Sequence, residues 1–328
     1  MNKSVCIRTA SLIALILVTP AAHAQQPKPP TLVIVTNGGD ATVSIFDVVS
    51  APKLVATVPV GKEPRELCVA PDGNRAYILN RADNSVSVLD LMNYKVTGTI
   101  THAKLQRPEG CAVAVDSKRL YVASADANAL LVVGTDNNQV IKDIAVPKLP
   151  RRVVVSPDGA KVYVSSEGTG EITALNARTD AVLATIKTAN SARNMAFMPD
   201  GKSLYVIHSL QDTVSLINTE TNTLVTTIGV GTSPQEVAIT SDGELVFVLA
   251  RGNMNINVVW TNPTDPRKSF RSVDLQPWPI DMVANDRNIY VIHDRDDALS
   301  VVRTRTLETF AYQTTKTGKS PQGIAMRR

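Results

Sequence analysis

The phrase Leu120-Tyr121-Val122 recurs along the chain. It returns as Val162-Tyr163-Val164, Leu204-Tyr205-Val206 and Ile289-Tyr290-Val291, with Ala76-Tyr77-Ile78, Val246-Phe247-Val248 and Leu32-Val33-Ile34 as variants. The central residues stand at 33, 77, 121, 163, 205, 247 and 290, so the steps are 42 to 44 residues. A strand-like period of this length restricts the chain to a repeat architecture.

Each repeat reads as four short strands. In one unit, 235–240 alternates, Ser241-Asp242-Gly243 turns, and 245–249 continues. Pro71-Asp72-Gly73, Pro157-Asp158-Gly159 and Pro199-Asp200-Gly201 are turns with a physical reason. Proline presets φ, aspartate bonds its own backbone and glycine accepts positive φ. Seven four-stranded antiparallel units predict an all-β, seven-bladed β-propeller. A solenoid would need polar terminal caps, and none is visible. The repeats start at a second strand, near Leu32, and end at a first strand, 323–326. The C-terminal strand is therefore expected to pair with the N-terminal repeat, closing the ring and removing its open edges.

Residues 1–24 are expected to be a secretory signal peptide. Lys3 and Arg8 precede an apolar run at 10–19, and Ala22-His23-Ala24 offers small residues for cleavage. The run is shorter than the roughly 20 apolar residues a spanning helix needs. Residues 25–30, Gln-Gln-Pro-Lys-Pro-Pro, read as a proline-rich tether, and 31–328 as the propeller. The expectation is a periplasmic or secreted protein with no membrane span after cleavage. Without Lys3 and Arg8 the formal charge falls from +4 to +2, too little to demand a polyanionic partner. No Cys-x-x-Cys-His or zinc spacing occurs, and no cofactor is indicated.

The recurring combination of Pro-x-x-φ-Ala-φ, Pro-Asp-Gly, φ-Tyr-Val and Thr/Ser-Val-Ser-φ-φ-Asp/Asn (φ, apolar) resembles the YVTN repeat of seven-bladed propellers over residues 31–328. YncE-like and surface-layer-like exported propellers share it. The resemblance implies the fold. Similar propellers include nucleic-acid binders, lactonases and parts of redox enzymes, so function has to come from a site.

The channel mouth is the default site. The residues taken to follow the repeat proline and open each inner strand are Arg65, Glu109, Arg151, Arg193, Gln235, Trp278 and Gln322. Three arginines there suit a carboxylate or phosphate, because guanidinium presents paired donors. The alternative is rim pairing with Glu66, Glu109 and Glu236. Trp278 offers a surface for stacking or for blade packing. Asp281 falls, without gaps, where Cys68, Ala112, Val154, Ala196, Ala238 and Ala325 stand elsewhere. A shortened turn at Asn285-Asp286-Arg287 would instead move it to the mouth.

His208 and His293 occupy equivalent loop positions two blades apart, in the series Thr36, Asn80, Ser124, Ser166, His208, Ala250 and His293. They join Asp281 as catalytic candidates, with hydrogen-bonded structural histidines as the favoured reading. His293-Asp294-Arg295-Asp296-Asp297 lacks the glycine and glutamate of a calcium loop and reads as a solvated turn. The segment 251–279, with Trp260 and Asn262-Pro263-Thr264-Asp265-Pro266, is the most irregular. Cys68 and Cys111 lie on inner strands of consecutive blades, one position apart. Alternation lets them face each other or face apart, and an exported setting permits a disulfide.

Two functions follow. One is a binding scaffold for a small anionic ligand or a protein at the channel mouth. The other is a lactonase-like hydrolase or isomerase using Asp281, His208 or His293. An accessory role in a periplasmic redox system is a third class. Nucleic acid is admitted as a partner and would bind with steep salt dependence. Gly-x-Ser-x-Gly and Walker-type loops are absent.

Overall fold

A computed structural model describes residues 31–260, 270–304, 306 and 315–327. The expected signal peptide, the tether and Asn262–Pro266 lie outside the described residues, as does the Trp260 side chain.

The described residues form seven four-stranded antiparallel sheets. Blades 1 to 6 follow chain order. Their inner strands are Pro64–Val69, Pro108–Val113, Pro150–Val155, Ala192–Phe197, Pro234–Ile239 and Pro279–Ala284. Blade 7 joins the two ends of the propeller. Pro321–Arg327 pairs antiparallel with Leu32–Asn37, which pairs with Thr42–Asp47 and then Lys53–Pro59. Leu32–Asn37 is buried throughout, so ring closure covers an edge that would otherwise be apolar and open. Among the described residues, no helix is long and apolar enough to cross a membrane.

Seven apolar clusters fill the seven interfaces between blades. Tyr77, Leu79 and Val88 of blade 1, for example, pack with Val113, Leu120 and Leu131 of blade 2. The repeated tyrosine has a polar duty as well. Tyr121 Oη donates to Ala177 O at 3.1 Å, and Tyr163 Oη to Asn222 Oδ1 at 2.6 Å, each on the next blade. The buried ring thus carries its hydroxyl to a partner. The Asp-Gly turns are built as expected, with Gly73, Gly159 and Gly201 at φ of 71–72°.

Two repeat positions differ from the sequence reading. Ile34, not Val33, takes the tyrosine position: it pairs with Ala325 as Tyr77 pairs with Cys68. Asn37 therefore replaces Thr36 in the loop series, and it bonds Thr42 and Ser44 as Asn80 bonds Ser85 and Ser87. Cys68 and Cys111 face each other and form a disulfide between blades 1 and 2, with Cα atoms 5.8 Å apart.

Candidate functional site

The inner strand of each blade begins with a bulge. In blade 1, Pro64 pairs with Asn80 but Leu67 pairs with Ile78, so Arg65 and Glu66 oppose a single residue. The same shift follows Pro108, Pro150, Ala192, Pro234 and Pro279. A regular strand would send consecutive side chains to opposite faces. The bulge re-aims the strand start, and Arg65 and Glu66, Arg151 and Arg152, and Arg193 and Asn194 all line the channel.

Two rings result. The upper one holds Arg65, Glu109, Arg151, Arg193, Gln235, Ile280 and Gln322. The lower one holds Glu66, Gly110, Arg152, Asn194, Glu236, Asp281 and Gly323. Its two glycines are steric requirements: a Cβ would lie 2.0 Å from Arg151 O at Gly110 and 2.2 Å from Arg65 O at Gly323. The funnel encloses a narrow cavity of about 100 Å³, smaller than the pockets that bury drug-sized ligands.

Glu109 is the hub of the upper ring. Its buried carboxylate lies 3.4 Å from Arg151 Nη1, 3.6 Å from Arg65 Nε, 3.3 Å from Arg81 Nε and 3.7 Å from Arg107 Nε. Glu109 Oε2 makes no hydrogen bond, so these contacts hold by charge rather than by aligned donors. Arg151 also reaches Glu167 at 3.1 Å. Arg193 has no carboxylate within 4.0 Å among the described residues. Burial, then the neighbouring Arg151 guanidinium, pushes it down to about 10, so it stays cationic at neutral pH.

The lower ring is acidic. Arg152 Nη1 lies 2.7 Å from Glu66 Oε2. Asn194 donates its amide to Glu236 Oε2. Glu236 and Asp281 are neighbours in this ring, and each carboxyl acts on the other. Asp281 Oδ1 accepts Met282 N–H at 2.8 Å, and Oδ2 accepts Ile324 N–H at 3.1 Å. Burial pushes Glu236 up to about 7, and burial with the facing Glu236 and Glu66 holds Asp281 well above the carboxylate range. Two buried carboxyls facing each other resist ionising together, the condition that acid–base sites use.

A pH dependence follows. A raised Glu236 binds a proton in the folded state that the unfolded chain has already lost. Its contribution to stability therefore falls as pH rises from the ordinary 4.5 through about 7. Relative to wild type, Glu236→Gln should gain thermal stability between about pH 5 and about pH 8, as followed by melting curves. A constant difference in Tm across that window would contradict that protonation.

Six of the seven upper-ring residues named from the sequence line the funnel: Arg65, Glu109, Arg151, Arg193, Gln235 and Gln322. Trp278 does not, and this corrects the sequence reading. Pro279 pairs with His293 as Pro64 pairs with Asn80, so Ile280 takes the ring position. Trp278 stands before that proline at φ of 60°, partly exposed, with the Arg295 guanidinium 3.6 Å from its ring centroid. Asp281 is also relocated. Val283 faces Tyr290 in the small-residue position, and Asp281 moves to the funnel lining, in the direction the shortened turn would require.

His208 and His293 stand apart from the funnel acids, in the structural setting favoured from the sequence. Both are fully buried behind the funnel and held neutral by burial. His208 Nε2 bonds Ser215 Oγ at 2.9 Å, and His293 Nδ1 donates to Pro277 O at 3.1 Å. In the charged run after His293, Asp294 accepts Ser320 Oγ–H and Asp297 accepts Ser320 N–H, clasping the neighbouring loop. No metal-holding group of His, Cys, Asp or Glu occurs among the described residues. Sequence reasoning passed over Ile280 and Asn194 and treated Glu66 and Glu236 only as rim partners. The missed signal was a charged second residue after the proline in blades 1, 3, 5 and 6.

A family model described as "Lactonase, 7-bladed beta-propeller" matches residues 18–185. No curated protein matches the chain. Among solved structures, Kuenenia stuttgartiensis hydrazine synthase is similar with a TM-score of 0.69 and 21% identity, over 79% of this chain and 88% of that one. A putative 6-phosphogluconolactonase from Bacteroides uniformis gives 0.76 and 15%, over 90% and 99%. One from Bacteroides fragilis gives 0.74 and 15%, over 91% and 98%. At these identities the similarity speaks to the fold alone.

Proposed function

The chain belongs to the seven-bladed β-propeller lactonase family, and from that membership we propose that its channel mouth binds a small anionic lactone and opens it by hydrolysis. The observation that carries this reading is the Glu236–Asp281 pair on the funnel floor, beneath Arg193.

The chemistry assigns a role to each group. Arg65, Arg151 and Arg193 hold the substrate's anionic substituent, since guanidinium forks suit carboxylate and phosphate. Ionised Glu236 takes a proton from water as the water oxygen attacks the lactone carbonyl. Protonated Asp281 gives its proton to the ring oxygen as the carbon–oxygen bond breaks. The product is the hydroxy acid, and proton exchange with solvent resets the pair. A general base works best near the operating pH, and Glu236 near 7 meets that condition. The leader-like segment at 1–24 supports an exported setting for this reaction.

Arg193 tests the assignment, because removing it leaves no carboxylate stranded within 4.0 Å among the described residues. Arg193→Ala is expected to raise KM for an anionic lactone by about 10- to 100-fold, the worth of a charge-assisted hydrogen bond. A neutral lactone of the same ring should be little affected. Equal effects on both substrates would remove the anion-binding role.

A second reading rests on the same arginines: a scaffold that binds an anionic ligand or protein without turnover. Its signature is anion binding, by calorimetry, that survives Asp281→Asn while no lactone is opened.

A further inference from the structure

The lower ring holds three carboxyl groups and one guanidinium. Arg152 lies 2.7 Å from Glu66 and acts electrostatically on Glu236 and Asp281 as well. Gly110, Asn194 and Gly323 complete the ring without charge. With every group ionised, the layer carries a charge of −2. One proton on the Glu236–Asp281 pair reduces this to −1.

We propose that Arg152, paired with Glu66, is a positioning residue that fixes the Glu236–Asp281 pair at one shared proton. That is the only state in which one carboxyl can accept a proton while the other donates one. The inference rests on the site proposed above, and it concerns the free protein, so it is tested without substrate.

The geometry explains why this duty falls to Arg152. Arg65, Glu109, Arg151 and Arg193 stand one ring higher, where Glu109 offsets part of the positive charge. Arg251 and Asp294, which also line the funnel, pair with each other at 3.9 Å. Glu167 is engaged by Arg151. Among the described residues of the lower ring, Arg152 is the one cation. Glu66 limits it: a lone guanidinium would favour two ionised carboxylates, and the third carboxylate restores repulsion between them.

The two members therefore act in opposite directions. Arg152→Gln removes the cation, so the pair should hold protons more tightly. Glu66→Gln removes a repelling charge, so the pair should release its proton earlier. A charge a few ångströms away in a partly buried site moves a carboxyl by about 1 to 2 pH units.

The test is a carbon-13 NMR titration of side-chain carboxyls in the full chain, with Glu236→Gln and Asp281→Asn used for assignment. Arg152→Gln should raise the apparent midpoint of the pair by about 1 to 2 pH units, and Glu66→Gln should lower it by a similar amount. The double variant should return close to wild type, and Arg152→Lys should retain the wild-type direction. Midpoints that stay put in folded single variants, or that move the same way in both, overturn the proposal. Should Arg152→Gln fail to fold, Glu66→Gln decides alone, and an unmoved midpoint overturns it. These shifts without lactone turnover would remove the proposed reaction and leave the proton assignment. Turnover without the shifts would remove only the role of Arg152 and Glu66.

Discussion

Asp281→Asn is expected to lower kcat for lactone opening by about 10²- to 10⁴-fold, the contribution of a general acid or base. Asparagine keeps the size of the side chain but cannot deliver a proton to the leaving oxygen. KM should change little, because the arginines proposed to hold the substrate stand one ring higher. Asp281 accepts two backbone N–H groups, from Met282 and Ile324. The amide replaces one acceptor with a donor, so a stability cost of about 1–3 kcal/mol accompanies the change. A melting curve separates that cost from the catalytic loss. A stably folded Asp281→Asn protein with undiminished kcat would take Asp281 out of the reaction.

A chain ending at Thr317 is expected to lose the folded ring altogether. The truncation removes Pro321–Arg327, which pairs along Leu32–Asn37 and packs on both neighbouring blades. It uncovers the buried strand Leu32–Asn37 and the apolar interface around Ile324. It also removes Arg327, whose guanidinium donates to Leu91 O in blade 1. Domains carry only about 5–15 kcal/mol of stability. Losing a central pairing along an entire strand exceeds what such a margin tolerates. Size-exclusion chromatography and near-ultraviolet circular dichroism should show aggregated or loosely packed chains. A monomer with wild-type dichroism and a cooperative transition would contradict closure by the C-terminal strand.

The architecture was legible because it is written many times over. Each tyrosine phrase marks the same strand, and each Asp-Gly turn marks the same hairpin. The phase of the first repeat was less legible, because Leu32–Val35 is apolar throughout and has no tyrosine to fix its register.

The site was half legible. Arg65, Arg151 and Arg193 stood out because identical repeats should not place arginine there without cause. The acid pair was hidden by two irregularities. The bulge after each proline breaks the alternation on which strand reading depends. In blade 6 the turn at 285–287 is also shortened, which shifted Trp278 into a ring position that belongs to Ile280. His208 and His293 drew notice as titratable residues at matching positions. Their burial and hydrogen bonds fit loop anchoring.

The most direct measurement is a pH-stat assay of purified wild-type and Asp281→Asn protein on a panel of neutral, carboxylated and phosphorylated lactones. Wild type is expected to open an anionic lactone, with activity rising through about pH 7 as Glu236 ionises, and Asp281→Asn to leave it closed. Folded wild-type protein that opens no lactone on the panel at any pH would contradict the proposed reaction.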